Sequence, residues 1–142
     1  MGWLFGPKTN YVSEMRECLK EYMLSYIKDN PAAADDVVPI FSDAELVLRR
    51  FSEKEISKTM RANNVNVECC ALNILQNVAM HEIKQQSATD FIKGYDTDYA
   101  YELYKHVNDL KLKKGYISKQ QHEENNLVAT KMAIKSPLGN WF

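Results

Sequence analysis

The chain has 142 residues, 45% of them hydrophobic and 26% charged, a size and mix that build one ordinary core and exclude both a disordered and a fibrous protein. Its net charge of −1 supplies no global attraction for nucleic acid or for an anionic membrane. Five Gly and four Pro are too few for the tight turns of an all-β sandwich, so the expectation is an all-α, single-domain bundle of five or six helices over residues 1–142, closed by a C-terminal helical hairpin.

Residues 1–9 read as an N-terminal arm. Their apolar run, Trp3-Leu4-Phe5, is too short for a signal peptide or a membrane span. A first helix is predicted over 10–28, because Met15, Leu19, Tyr22, Met23 and Tyr26 recur at three and four with Glu14, Glu17, Lys20 and Glu21 opposite. Asn30-Pro31 stops it, and Asp35-Asp36 with Pro39 makes 29–41 a predicted linker.

One helix-start signal then occurs twice, as Phe41-Ser42-Asp43-Ala44-Glu45-Leu46 and as Phe51-Ser52-Glu53-Lys54-Glu55-Ile56. In each copy the Ser oxygen can accept from the amide three residues ahead. The Glu at that position can reach back to the Ser amide, while the flanking apolar pair closes a hydrophobic staple. The pattern predicts helices over 43–51 and 53–62, with one continuous helix as the alternative reading.

After a turn at Asn63-Asn64, residues 65–85 form the most apolar predicted helix. Val67, Cys70, Ala71, Leu72, Ile74, Leu75, Val78, Ala79 and Ile83 cover more than half its circumference, as a central helix requires. The remaining stripe, Cys69, Asn73, Gln76, Asn77 and Met80, is uncharged where a solvated face would carry Lys and Glu. It is therefore an expected interaction surface, covered by another helix or by a second subunit.

Residues 87–98 read as a polar loop holding at most one helical turn over 90–93. A helix over 98–114, capped by Asp96 or Thr97 and closed by Lys113-Lys114-Gly115, and another reaching 135, opened by Ser118 and Gln121 as a third capping box, make up a hairpin over 98–136. Tyr95, Tyr99, Tyr101 and Tyr104 add aromatic contact area and join the expected interaction surface. Trp3-Leu4-Phe5 and Trp141-Phe142 are too aromatic to stand in water and are expected to dock on the body or on a partner.

Chemistry-bearing patterns are few. Cys18, Cys69 and Cys70 make no CxxC pair and leave an odd number, which fits a reducing, cytoplasmic setting better than a disulfide framework or a structural zinc. Glu102 and His106 lie one turn apart, and the hairpin brings His122 level with them. These three are the candidate metal set, although no Glu-x-x-His or His-Glu-x-x-His accompanies them. Lys111, Lys113, Lys114 and Lys119 at the hairpin tip are candidate phosphate contacts.

An EF-hand spacing around Gly115 is emptied of calcium chemistry by Leu110, Leu112 and Lys114 where carboxylates are needed. A helix-turn-helix fails on the polar Lys111, Gln121 and Glu124 at positions that must pack. With no Gly-rich phosphate loop, nucleophile elbow or cofactor motif, no catalytic residue and no cofactor is assigned. The hairpin's order of apolar helix, Gly, apolar residue, Ser and polar helix resembles short C-terminal helical-hairpin modules of many bacterial proteins, which implies an interaction role. The expected function is a non-catalytic, self-associating protein–protein interaction module. The two alternatives are a small metal-dependent enzyme or metal-binding protein on Glu102, His106 and His122, and a nucleic-acid binder through the Lys tip.

Overall fold

Apolar side chains repeating at helical spacing, and nothing resembling a strand alternation, produce an all-helical bundle in the computed structural model, which describes residues 10–93 and 99–134, without the side chains of 86–93 and 133–134. The order is α1 (Tyr11–Asp29), a 3-10 turn (Pro31–Ala33), α2 (Ala34–Leu48), α3 (Glu53–Asn63), α4 (Val67–Lys93), α5 (Tyr99–Lys113) and α6 (Lys119–Ile134). The predicted all-α bundle with a C-terminal hairpin is what forms. α4 is its axis, packed by α1, α2, α5 and α6, and it buries Cys70, Ala71, Leu72, Leu75, Ala79 and Ile83.

The N-terminal turn of α1 is secured twice. Asn10 Oδ1 accepts from the Ser13 amide, and the Glu53 carboxylate of α3 accepts from the amides of Tyr11 and Val12 at 2.6 and 3.0 Å. Free first-turn amides carry the positive end of the helix dipole, so a carboxylate borrowed from another helix stabilises them. One face of α1 then buries Met15, Leu19 and Tyr26.

The predicted linker over 29–41 is overturned. After the 3-10 turn the chain enters α2, whose Val37, Ile40, Phe41, Ala44 and Leu48 are all buried. Five core side chains at helical spacing, each worth about 1.5–3 kcal/mol when large and fully buried, outweigh the backbone cost of Pro39. Pro39 and Asp35 are both exposed, so the carbonyl that Pro39 leaves without its intrahelical donor sits on the wet side of the helix. Asp35 and Asp36 fall in the first turn, where the dipole favours them.

The doubled start signal is also corrected. Ser42 lies inside α2 and starts nothing. Its Glu45 is held by Arg49 at 2.7 Å and Arg16 at 2.9 Å, so the carboxylate is not available to cap. The second copy forms in full: the Glu55 amide donates to Ser52 Oγ and the Ser52 amide donates to Glu55 Oε1, both at 3.1 Å. These bonds also hold the Glu55 carboxyl below its usual range. α2 and α3 are therefore two helices, broken at residues 49–52, as the shift of apolar phase between Leu48 and Ile56 requires.

Asn64 closes α3 in the left-handed region at φ 51°, with the Val65 amide donating to the Met60 carbonyl. α4 begins after Asn66, whose side chain accepts from the Cys69 amide, and runs to Lys93. The predicted polar loop over 87–98 is thus helical to residue 93. Within α4 neither Gly nor Pro interrupts the sequence before Gly94.

Gly115, at φ 76°, closes α5 as predicted. At the start of α6 only half of the third box forms: Ser118 Oγ accepts from the Gln121 amide, while the Gln121 side chain turns forward to Asn125. The expected caps Asp96 and Thr97, with Tyr95, both aromatic ends and the predicted end at 135, lie outside the described residues.

Candidate functional site

The polar residues singled out by sequence are tied into the bundle. Lys111 is 6% exposed, and its Nζ donates to Gln76 Oε1 at 2.7 Å. Gln76 Nε2 in turn donates to Asn108 Oδ1, and Asn108 Nδ2 donates to the His122 carbonyl and to Asn126 Oδ1. Asn125 completes the set by donating to Asn108 Oδ1 at 3.0 Å. This chain of amides crosses from α4 through α5 to α6 and fixes their register, because its buried members Gln76, Asn108 and Lys111 would be costly to leave unpaired. Burial pushes the Lys111 ammonium below its ordinary range, against the neighbouring Cys69.

The Lys tip therefore does not gather into one patch. Lys114 bonds Glu68 at 2.6 Å, Lys111 is inside, and Lys113 and Lys119 remain exposed. Glu68 also accepts from Tyr116, and Tyr116 Oη accepts from Asn66. Burial works against the Glu68 charge, but the Lys114 and Tyr116 hydrogen bonds hold its carboxyl below the usual range. The result is a clasp between the start of α4 and the hairpin turn.

The candidate metal set is separated by its partners. His106 Nδ1 bonds the Tyr22 hydroxyl while its ring meets Tyr26 edge-on, and His122 Nε2 bonds Asp109 at 2.7 Å. Glu102 is exposed. Among the described residues no three His, Cys, Asp or Glu come together to hold a metal ion. Burial raises the Tyr22 hydroxyl far above its ordinary range, so it serves as a neutral hydrogen-bonding group.

The uncharged stripe of α4 is largely covered by the chain itself. Cys69 and Gln76 are buried, Met80 packs half-buried against the core, Asn73 is half-buried and Asn77 is exposed. Of the tyrosines, Tyr104 is buried and Tyr99 and Tyr101 pack on the core edge. Tyr101 bonds Thr130 at 2.8 Å under the ammonium of Lys105. Burial raises the Cys18, Cys69 and Cys70 thiols, which keeps them as inert apolar groups.

What the sequence did not single out is a cleft of about 360 Å³ between α1, α3 and α4. Met15, Ile56 and Cys70 form its buried floor, Val65 and Ile74 its half-buried walls, and Phe51 stands at its rim with 42% of its surface exposed. Asn63, Asn73, Thr59 and Glu55 supply the polar edge. The cleft exists because α3 is a thin cover: Ile56 is its only buried residue among eleven. Three of the cleft's lining residues, Phe51, Glu55 and Ile56, belong to the second capping box, which fixes where α3 starts. Comparison with protein-family models, with curated proteins and with solved structures finds no match for this chain.

Proposed function

We propose that the chain is a non-catalytic helical interaction module that self-associates, with the α3 cleft as the contact surface and an apolar side chain of a second copy as the anchor. The observation that carries this reading is the cleft itself, apolar within and polar at its edge, the anatomy of a pocket that receives a hot-spot side chain. A second copy can supply the anchor, because the same molecule exposes Leu46 and Phe51 around the α2–α3 corner. A surface that carries both an apolar knob and an apolar hollow can complement itself across a two-fold axis.

The polar groups support the same reading by being used internally. Glu68, Lys111, Lys114, His106 and His122 each have a partner within the chain. Three free cysteines suit a reducing setting. Among the described residues no helix is long and apolar enough to cross a membrane.

Methyl NMR over a concentration series tests the surface. Self-association through the cleft moves the methyls of Met15, Ile56, Val65 and Ile74 as concentration rises. Shifts confined to the exposed Leu127 and Val128 of α6, or none at any attainable concentration, overturn the reading.

A further inference from the structure

α1 and α2 run antiparallel across the 3-10 turn Pro31–Ala33, and a groove of about 390 Å³ lies between them. It shares no lining residue with the α3 cleft. Arg16 meets Glu45 at one end, Tyr22 packs on Phe41 further along, and Met23 and Val38 line the end beside the turn. Leu19 and Phe41, both 4% exposed, form an apolar floor, while Val38 leaves 39% of its surface in water. From Ser13 to Met23 the groove follows α1 for about 15 Å, at 1.5 Å per residue.

The end away from the turn is polar and carries a surplus of positive charge. Arg16, Lys20 and Arg49, which bonds Glu45, stand against Glu17 and Glu45, so one positive charge is left over. A single Glu45 oxygen, Oε1, meets both guanidinium groups, Arg49 at 2.7 Å and Arg16 through Nε at 2.9 Å. Held from the side in this way, Arg16 has no hydrogen bond on its two terminal nitrogens among the described residues. The exposed hydroxyls of Ser13 and Ser42 line the same stretch. Ser42 is the residue of the first helix-start signal that α2 leaves without a capping role.

We infer that this groove binds an unbranched alkyl carboxylate, with the carboxylate on the Arg16 fork and the chain lying over Leu19 and Phe41 toward Met23 and Val38. A guanidinium already oriented by an ion pair presents its parallel N–H groups to a planar carboxylate at little further cost in freedom. One surplus positive charge matches a carboxylate better than a phosphate carrying close to two negative charges. Glu45 is a positioning residue that holds the fork, and the Ser hydroxyls can donate to the same oxygens. Lys20, one turn from Arg16 on the same face of α1, adds attraction along the approach. The volume falls within the range of small-molecule sites, about 300–1,000 Å³, and the division into an apolar floor and a few polar groups is theirs as well.

Methyl NMR of the full chain tests the site, with octanoate as the probe below its micelle concentration and octanol as the same chain with an uncharged head. Octanoate should shift the methyls of Leu19, Met23 and Val38 saturably, and octanol should bind there about five- to tenfold more weakly. Arg16→Gln should bring octanoate down to the affinity of octanol and leave octanol unchanged. Val38→Glu, a change on an exposed position with helical circular dichroism as the check on folding, should abolish binding of both. Lys113→Gln, on the distant hairpin tip, should alter neither. Equal affinity for octanoate and octanol, undiminished octanoate binding by Arg16→Gln, an equal loss with Lys113→Gln, shifts confined to Ile56, Val65 and Ile74 of the α3 cleft, or no saturable shift each overturns the inference.

Discussion

At the scale of single residues, the least expected feature is an ammonium inside the bundle. Lys111 extends the buried series Ala100, Leu103, Tyr104 and Val107 by four residues. That spacing was present in the sequence, but the charge type led to a surface reading. The unfolded chain holds this proton up to about pH 10.5, whereas burial makes the folded chain release it earlier. Between the two values the unfolded state binds more protons, so the Lys111 contribution to stability rises with pH. The stability of the wild type relative to Lys111→Met, from urea melts at stepped pH, should therefore rise through that window, by at most about 1.4 kcal/mol per pH unit. A flat difference would place the ammonium in water.

Glu68 works in the opposite range. Its carboxyl is held below the ordinary 4.5, so its stabilisation is complete above the unfolded value and is lost as pH falls through the folded one. Glu68→Gln should cost about 1 kcal/mol or less at neutral pH, given the partial exposure of the pair. It should also flatten the acid side of the stability curve measured by chemical denaturation.

At the scale of elements, the two copies of one signal separate what local grammar can and cannot specify. Ser52 caps and Ser42 does not, because the buried series Val37, Ile40, Phe41, Ala44 and Leu48 commits the first copy to the middle of a helix. Ser52→Ala should cost about 1 kcal/mol, while Ser42→Ala should stay within about 0.5 kcal/mol, compared by thermal melts of both variants. α1, α5 and α4 as far as about residue 85 were legible from periodicity. α2 was not, because Asp35, Asp36 and Pro39 are turn formers in isolation and first-turn or wet-face residues in place. α3, with a single buried side chain, should exchange its amide hydrogens before α4 does, and mass-detected exchange resolves the two.

At the scale of the whole molecule, the helical class followed from composition and spacing, whereas the cleft did not. A hollow is made by what three helices leave unfilled, and no single segment of sequence encodes it. Within the candidate metal set and the Lys tip, His106 bonds Tyr22 of α1, Lys111 bonds Gln76 of α4 and His122 of α6 bonds Asp109 of α5, pairings between helices that no local pattern signals. Along the uncharged stripe of α4, Cys69 and Gln76 are buried, and Asn108 and Lys111 of α5 bond Gln76.

The most direct measurement is the solution mass by sedimentation equilibrium of two full-length chains, wild type and Ile74→Lys, over a concentration series. Wild type should gain mass as concentration rises, and blocking the cleft wall should return the mass to that of a single chain. If wild type stays a single chain at every concentration, or associates equally well with Ile74→Lys in place, the α3 cleft is not the surface through which this protein meets another copy.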